Sequence, residues 1–163
     1  MTGVAATGGH RYKDGSHYVG TWNADGKPHG EGHFLFKSGI RYSGTFEDGK
    51  FSGLGSLVFP DGASFFQTGI YRYEGEFLKG WFHGYGTFWR ADGMRFEGEF
   101  RGGQIHGLGR VTFNDGTNGF PKHEGFFEDT RLIKRHKSGE IIDRAQKISF
   151  MIRQKYFNDM FDS

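Results

Sequence analysis

The chain has 163 residues, the size of one domain, and no cysteine, which excludes disulfide frameworks, thiolate metal sites and cysteine nucleophiles. No run approaches the ~18 consecutive apolar residues of a membrane span, and the first residues lack a secretion-signal pattern, so we expect a cytoplasmic protein. The net charge of +2 is uneven, because residues 1–130 hold 13 basic and 15 acidic side chains and residues 131–163 hold 8 and 4.

The first ten residues are small or polar, and we predict that residues 1–10 form a flexible segment. A repeated pattern follows them. In each copy an aromatic residue precedes Gly by two positions, and a second aromatic residue, a Gly-containing turn and Gly-x-Gly come next. The copies start at Tyr18, Tyr42, Tyr73, Phe96 and, in degraded form, His123. Such self-similarity predicts a repeat array, in which each unit buries its apolar face by stacking on its neighbours.

Each copy is predicted to form a β-hairpin. Apolar residues within a copy alternate with period two, which is the pattern of a strand. Asp25-Gly26 and Asp48-Gly49 supply the positive φ that a tight reversal needs. Joined head to tail, the hairpins predict an all-β fold: an elongated, single-layer antiparallel meander of about ten strands over residues 11–129.

The spacing of the copies is interrupted once. Tyr18 to Tyr42 is 24 residues and Tyr73 to Phe96 is 23, whereas Tyr42 to Tyr73 is 31. This difference places an insertion at about residues 63–70. We expect a protruding loop or a lengthened hairpin there, because closing a longer loop costs only ~0.6 kcal/mol per doubling of its length.

A single-layer sheet needs an unusual core. Hydrophobic residues make up only 35% of the chain, but 19 Phe, 7 Tyr and 3 Trp provide large rings. The paired glycines of the repeats leave empty sites beside those rings, namely Gly53/Gly55, Gly84/Gly86 and Gly107/Gly109. The sequence therefore predicts a core in which aromatic rings cover glycines.

Residues 130–163 form a basic segment in which the period changes to 3.6. The apolar residues Ile141, Ala145, Ile148 and Ile152 predict an amphipathic helix over about 139–156, with Ser138 as its N-cap. We expect this helix to cap an open end or one face of the sheet, because a repeat array needs a covered terminal unit. A surface for a partner or a membrane is the alternative.

The pattern Tyr-x-Gly-x-Phe/Trp, a turn and His-Gly-x-Gly resembles that of MORN repeats over residues 11 to about 129. The stretches Arg95–Phe100, Asn114–Glu128 and Ile142–Gln146 are similar to small MORN proteins with four repeats and a short basic helical tail. That resemblance implies an adaptor for the tail of class III myosins in actin-rich protrusions of photoreceptors or other sensory cells. The chain departs from it by the insertion and by a longer N-terminus.

Two sets of residues are candidates for partner binding. Aromatic side chains of a sheet can anchor a peptide in a groove. The candidate anchors are Tyr18, Trp22, Tyr42, Phe46, Tyr73, Phe77, Phe96 and Phe100. Carboxylates that alternate with the aromatic positions form an acidic stripe on the opposite face, solvated or facing a basic partner segment. The stripe comprises Glu74, Glu76, Glu97, Glu99 and Glu124. Charge reversal at Glu76 and Glu99 is expected to leave the protein folded.

Catalytic, cofactor and metal sites are not predicted. His29, His83 and His106 recur at one repeat position, but successive copies lie roughly 9.5 Å apart, too far to share a zinc ion, so we expect them to form hydrogen bonds near the turns. The Gly-x-Gly pairs open strands instead of helices, which argues against a nucleotide fingerprint.

A non-enzymatic protein-binding adaptor is therefore favoured. The alternative is peripheral binding to anionic membranes through Arg131, Lys134, Arg135 and Lys137. Nucleic-acid binding is disfavoured because the sheet is acidic.

Overall fold

The computed structural model describes residues 3–60, 70–113 and 122–161. Within them, 11 strands form one antiparallel sheet in which each strand pairs with its neighbours along the chain. The strands are β1 (Ala6–Arg11), β2 (His17–Trp22), β3 (Pro28–Leu35), β4 (Arg41–Glu47), β5 (Lys50–Val58), β6 (Ile70–Leu78), β7 (Trp81–Arg90), β8 (Arg95–Arg101), β9 (Gln104–Thr112), β10 (Lys122–Glu128) and β11 (Arg131–Arg135). One helix, α1 (Gly139–Phe161), follows. The predicted single-layer meander with a C-terminal helix is confirmed.

Glycines align in one row across the sheet. Each of the first ten strands contributes one glycine, and every pair of neighbouring strands places these glycines opposite each other. The row comprises Gly8, Gly20, Gly32, Gly44, Gly55, Gly75, Gly86, Gly98, Gly109 and Gly125. Because glycine has no side chain, the row leaves a trough on the sheet surface, and the aromatic rings of neighbouring residues can fill it.

Aromatic rings fill this trough as predicted at the second glycine of each pair, but the prediction is wrong for the first: Gly53, Gly84 and Gly107 have positive φ and face Thr45, Glu76 and Glu99 instead of rings. Tyr42 covers Gly55 and Tyr73 covers Gly86, so that a Cβ at either glycine would collide with the ring. The Tyr42 ring stacks on Phe51 with centroids 3.8 Å apart and meets further rings edge-on. Stacked and edge-on pairs are the favourable geometries for aromatic side chains. This aromatic layer is the core of the molecule, on the face that we call the aromatic face.

The sheet is longer than predicted at both ends. Strand β1 begins at Ala6, so the expectation of a flexible segment is wrong for residues 6–10. This strand lacks apolar alternation; backbone pairing with β2 and the indole Nε1–H of Trp22, which donates to the Gly8 carbonyl over 2.9 Å, hold it in place. Strand β11 extends the sheet beyond residue 129. The insertion at 63–70 lies outside the described residues, apart from Ile70 at the start of β6.

The helix lies on the opposite face of the sheet, which we call the helix face, and packs mainly against β7 and β8. Its first intrahelical bond runs from the Ile142 N–H to the Ser138 carbonyl. The predicted stripe is off by one residue at two positions, because Ile142 and Ser149 are buried in place of Ile141 and Ile148. The burial of Ser149 follows from polar contacts with the sheet, which an apolar periodicity does not reveal.

Burial of three tyrosines predicts a loss of stability at alkaline pH. Burial raises the pKa of Tyr18 to about 12 and raises the pKa values of Tyr42 and Tyr73 further. A pKa above the ordinary value of about 10 means that the folded protein holds these protons more tightly than the unfolded chain. Their stabilising contribution is complete below pH ~10 and is lost as the pH rises through the folded pKa values. We expect the melting temperature to fall above pH ~10; ionisation of every tyrosine near that pH in the folded protein would contradict this expectation.

Candidate functional site

The predicted aromatic anchors form the floor of the aromatic face. Seven of the eight are buried, with at most 4% of their surface exposed, and Trp22 is half-buried. The buried seven are Tyr18, Tyr42, Phe46, Tyr73, Phe77, Phe96 and Phe100. Their rings pack on one another and on the glycine row. The surface open to a partner is consequently made by the side chains around them, and direct contact of the anchors with a partner stays a prediction.

An apolar cavity of about 460 Å³ lies on this face. Its side chains are almost all apolar, and we call it the aromatic cavity. It is lined by Phe36, Ile40, Phe51, Leu57, Phe59, Gly80, Trp81, Phe82 and Gly103. Trp81 is 62% exposed, and its ring lies against the turn at Gly103. A cavity with an exposed indole at its lip is suited to apolar side chains of a peptide.

Sequence reasoning did not single out the residues of this cavity. Phe51 and Phe82 each stand two positions before a Gly-x-Gly pair, and they pair across the hairpin with Phe46 and Phe77. That recurring position is the signal that could have identified them. Trp81 carries no repeat signal. Its ring lies against Gly103, which belongs to the next hairpin, and a pattern within one copy does not reveal such a contact.

The helix face carries a polar row directly beneath α1. Ser43, Ser56, Glu74, Thr87, Glu97, Arg110 and Glu124 are in register across β4 to β10. Glu74 is 1% exposed and Glu97 is 4% exposed. The expectation that the whole acidic stripe faces solvent or a partner is therefore wrong for these two carboxylates, because the helix covers them.

Glu74 is the most heavily engaged of the buried carboxylates. It accepts hydrogen bonds from the Arg72 guanidinium, from the Ser149 hydroxyl and, over 2.9 Å, from Nε of Arg153. Arg72 and Arg153 also lie over the ring of Trp89, with centroid distances of 5.2 and 5.1 Å. Two of the three hydrogen-bond donors, Ser149 and Arg153, come from the helix, so Glu74 ties α1 to the sheet.

Glu97 and Glu124 extend the same attachment. Glu97 accepts from Arg110 over 3.0 Å and from the amide of Gln146 over 2.8 Å. Glu124 accepts from the Ser138 N–H over 2.6 Å, just before the helix begins. Buried charges need partners of this kind, since an unpaired buried charge is strongly unfavourable. These acidic residues thus hold the C-terminal helix in place.

Glu76 and Glu99 stabilise β-bulges. Glu76 accepts from the Tyr85 N–H over 2.5 Å, and Glu99 accepts from the Leu108 N–H over 2.7 Å. Each bond lies beside a glycine with positive φ, 69° at Gly84. Because lysine cannot accept these bonds, we now expect Glu76→Lys and Glu99→Lys to loosen the bulges as well as to reverse charge.

The three recurring histidines lie near the turns. Nδ1 of His29 accepts from the Asp48 N–H over 3.2 Å, and the ring of His106 meets Phe126 edge-on at 5.5 Å. His83 is half-buried in β7. Among the residues that the structure describes, no group of three or more His, Asp or Glu side chains could hold a metal ion.

The predicted basic cluster is exposed at the C-terminal edge of the sheet. Arg131, Lys134 and Arg135 belong to β11, and Lys137 lies between this strand and the helix. Such a cluster suits an anionic surface. In the described part of the chain, no helix is both long and apolar enough to cross a membrane.

Known proteins resemble this chain over most of its length. A family model described as MORN repeat matches residues 18–41, 42–64, 73–95 and 96–118. These segments coincide with the four complete copies of the pattern. The chain is also similar to a protein of Drosophila melanogaster described as MORN repeat-containing protein 4 homolog. The two are 52% identical over 153 residues, which cover 94% of this chain and 73% of the relative.

Proposed function

Because the chain belongs to the MORN repeat family, we propose that it is a non-catalytic adaptor that binds a peptide segment of a partner protein on its aromatic face. Proteins of this family are generally scaffolds without catalytic activity. An open sheet can bind a partner segment on its exposed surface, and this role needs no catalytic group.

The aromatic cavity is the single observation that carries this proposal. It offers about 460 Å³ of space between buried and half-buried phenylalanines, with Trp81 exposed at its lip. The central part of the opposite face is already covered by α1. Aromatic side chains around a desolvated pocket are the usual centres of binding energy in protein interfaces.

The partner that we propose is the tail of a class III myosin. The support is the resemblance of Arg95–Phe100, Asn114–Glu128 and Ile142–Gln146 to retinophilin, a small MORN protein. On that reading the protein acts in the cytoplasm of actin-rich projections of photoreceptors or other sensory cells.

Replacing Trp81 by alanine tests the cavity. We expect Trp81→Ala to weaken binding of a class III myosin tail fragment by about 2 kcal/mol, roughly 30-fold, because the substitution removes an aromatic anchor. The side chain is 62% exposed, so the variant should remain folded. Phe150→Ala is the matched control, since Phe150 is 63% exposed on the outer surface of the helix. Titration calorimetry measures both.

The outcomes separate the partner from the site. If the wild-type protein fails to bind the fragment, the myosin assignment is rejected. If Trp81→Ala binds as tightly as wild type while Phe150→Ala binds more weakly, the contact surface lies on the helix face and the proposed site is wrong.

Peripheral membrane binding is the second candidate function. Its support is the exposure of Arg131, Lys134, Arg135 and Lys137 at one edge of the sheet. Each basic residue near an anionic surface contributes about 1 kcal/mol. Sedimentation with anionic liposomes at physiological salt distinguishes it from a purely protein-binding role, because an adaptor for a myosin tail does not need lipid.

A further inference from the structure

A second row of side chains crosses the helix face beside α1. Arg41 of β4 pairs with Val58, which pairs with Arg72 of β6. Arg72 pairs with Trp89, and Trp89 pairs with Arg95 of β8. Arg95 pairs with Thr112, and Thr112 pairs with Lys122 of β10. We call this the basic row, since every second strand contributes a cation and no member is acidic.

The side chains of the basic row are on the same face as the helix. Arg72 and Arg153 of α1 lie over the Trp89 ring and both bind Glu74. Side chains two positions apart in a strand share a face, so Arg41 accompanies Ser43 and Lys122 accompanies Glu124 in the polar row beneath the helix. The row therefore runs alongside α1, in the angle between helix and sheet.

The cations of this region outnumber the carboxylates that neutralise them. Arg41, Arg72, Arg95 and Lys122 of the basic row are joined by Arg110 and Arg153, and they surround Glu74, Glu97 and Glu124. Arg41 and Lys122 are exposed and form no ion pair with any described residue. Among the described residues, positive charge is therefore left in excess and is available to a ligand.

The spacing of the cations matches one kind of peptide. Neighbouring strands lie about 4.8 Å apart, so cations on every second strand are about 9.6 Å apart. A polyproline II helix places every third side chain on one face and rises about 9.3 Å over three residues. A β-strand places every second side chain on one face, about 6.8 Å apart, which does not match.

We propose that the basic row binds an acidic peptide segment in the polyproline II conformation, with Asp or Glu at every third position. Carboxylates of such a segment meet Arg41, Arg72, Arg95 and Lys122 in turn, and its apolar residues pack on Trp89 and Val58. A helix is about 10–12 Å wide with its side chains. Because α1 stands above the sheet beside the row, a flat membrane would meet the helix first, whereas a slender peptide enters the angle. This surface is on the opposite face from the aromatic cavity and does not depend on the proposed function.

The experiment uses a fluorescein-labelled peptide of four Glu-Pro-Pro units, whose outer carboxylates are about 28 Å apart in polyproline II. This length matches the six strand spacings, about 29 Å, between Arg41 and Lys122. Fluorescence anisotropy should show saturable binding at low salt, weaker at physiological salt. A peptide of the same composition with its four glutamates contiguous should bind at least about 5-fold more weakly, because its carboxylates span only ~9 Å and can meet two of the four cations at most.

A double charge reversal tests the residues. Arg41→Glu/Lys122→Glu should weaken binding of the probe about 10-fold or more, and both side chains are exposed, so the fold should be kept. Lys27→Glu/Lys50→Glu is the matched control, with the same change in net charge at exposed turn lysines on the opposite rim. The control should bind within about two-fold of wild type.

Several results would overturn the proposal. These are the absence of saturable binding by wild type at low salt, equal losses in the two double variants, and equal affinity for the spaced and the contiguous peptide. Binding of wild type to phosphatidylserine vesicles that is lost in Arg41→Glu/Lys122→Glu, without binding of the peptide, would assign the row to a membrane instead.

Discussion

We expect Glu74→Ala to destabilise the protein by about 1–3 kcal/mol, because the buried Ser149 hydroxyl loses its acceptor while Arg72 and Arg153, 27% and 44% exposed, regain part of their hydration. Glu74 is 1% exposed and binds Arg72, Ser149 and Arg153. Without the carboxylate, two guanidiniums and a hydroxyl lose their acceptor beneath the helix. Urea unfolding monitored by circular dichroism measures the change, and hydrogen exchange of the α1 amides shows whether the helix detaches first.

Glu128→Ala is the matched control for this substitution. Glu128 pairs with Arg131 over 3.5 Å at the end of β10, but both side chains are well exposed, at 49% and 75%. A surface pair of this kind is worth about 1 kcal/mol or less. If both substitutions cost the same, the buried carboxylates do not hold the helix on the sheet.

The second large effect is expected at Gly86. Valine at this position would place a Cβ 2.6 Å from the hydroxyl oxygen of Tyr73 and 2.8 Å from Cζ of its ring. The ring cannot move away, because it is fully buried and stacks on Phe82 with centroids 3.9 Å apart. Overpacking of this kind costs about 1–3 kcal/mol, and at ~2–4 °C per kcal/mol the melting temperature should fall measurably.

Gly8→Ala separates a steric effect from the general effect of adding a methyl group to a strand glycine. Gly8 belongs to the same glycine row, but a Cβ there would meet nothing within 4 Å. We expect this variant to melt at the wild-type temperature or slightly above it, since alanine restricts the unfolded chain more than glycine does. A loss at Gly8 as large as that at Gly86 would show that the ring of Tyr73 is not the cause.

The two faces of the sheet differ in what they offer a partner. The aromatic face presents the aromatic cavity with Trp81 at its lip, and the helix face presents the basic row beside α1. One surface is apolar and the other is cationic. An adaptor with two chemically distinct surfaces can hold two segments at once, which raises the overall affinity when both come from one partner.

The sequence by itself determined the repeat architecture. The period of the Tyr-x-Gly-x-Phe/Trp pattern, the turn glycines and the alternation of apolar residues are local signals, and each hairpin obeys them. The arrangement of rings over glycines followed as well, because Tyr42 and Tyr73 belong to the same hairpins as Gly55 and Gly86. The helix could also be predicted from the sequence, because the 3.6-residue spacing of its apolar residues is a local signal.

Only the tertiary structure decided which polar residues are buried. Glu74 and Ser149 are 75 positions apart in the chain, and no local pattern relates them. A carboxylate that alternates with aromatic residues has the same sequence pattern whether it faces water or a helix, so the acidic stripe could not be divided into buried and accessible members. The aromatic cavity and the basic row likewise depend on side chains from successive hairpins. Register between strands places them together, and register depends on pairing across the whole sheet instead of on any one segment.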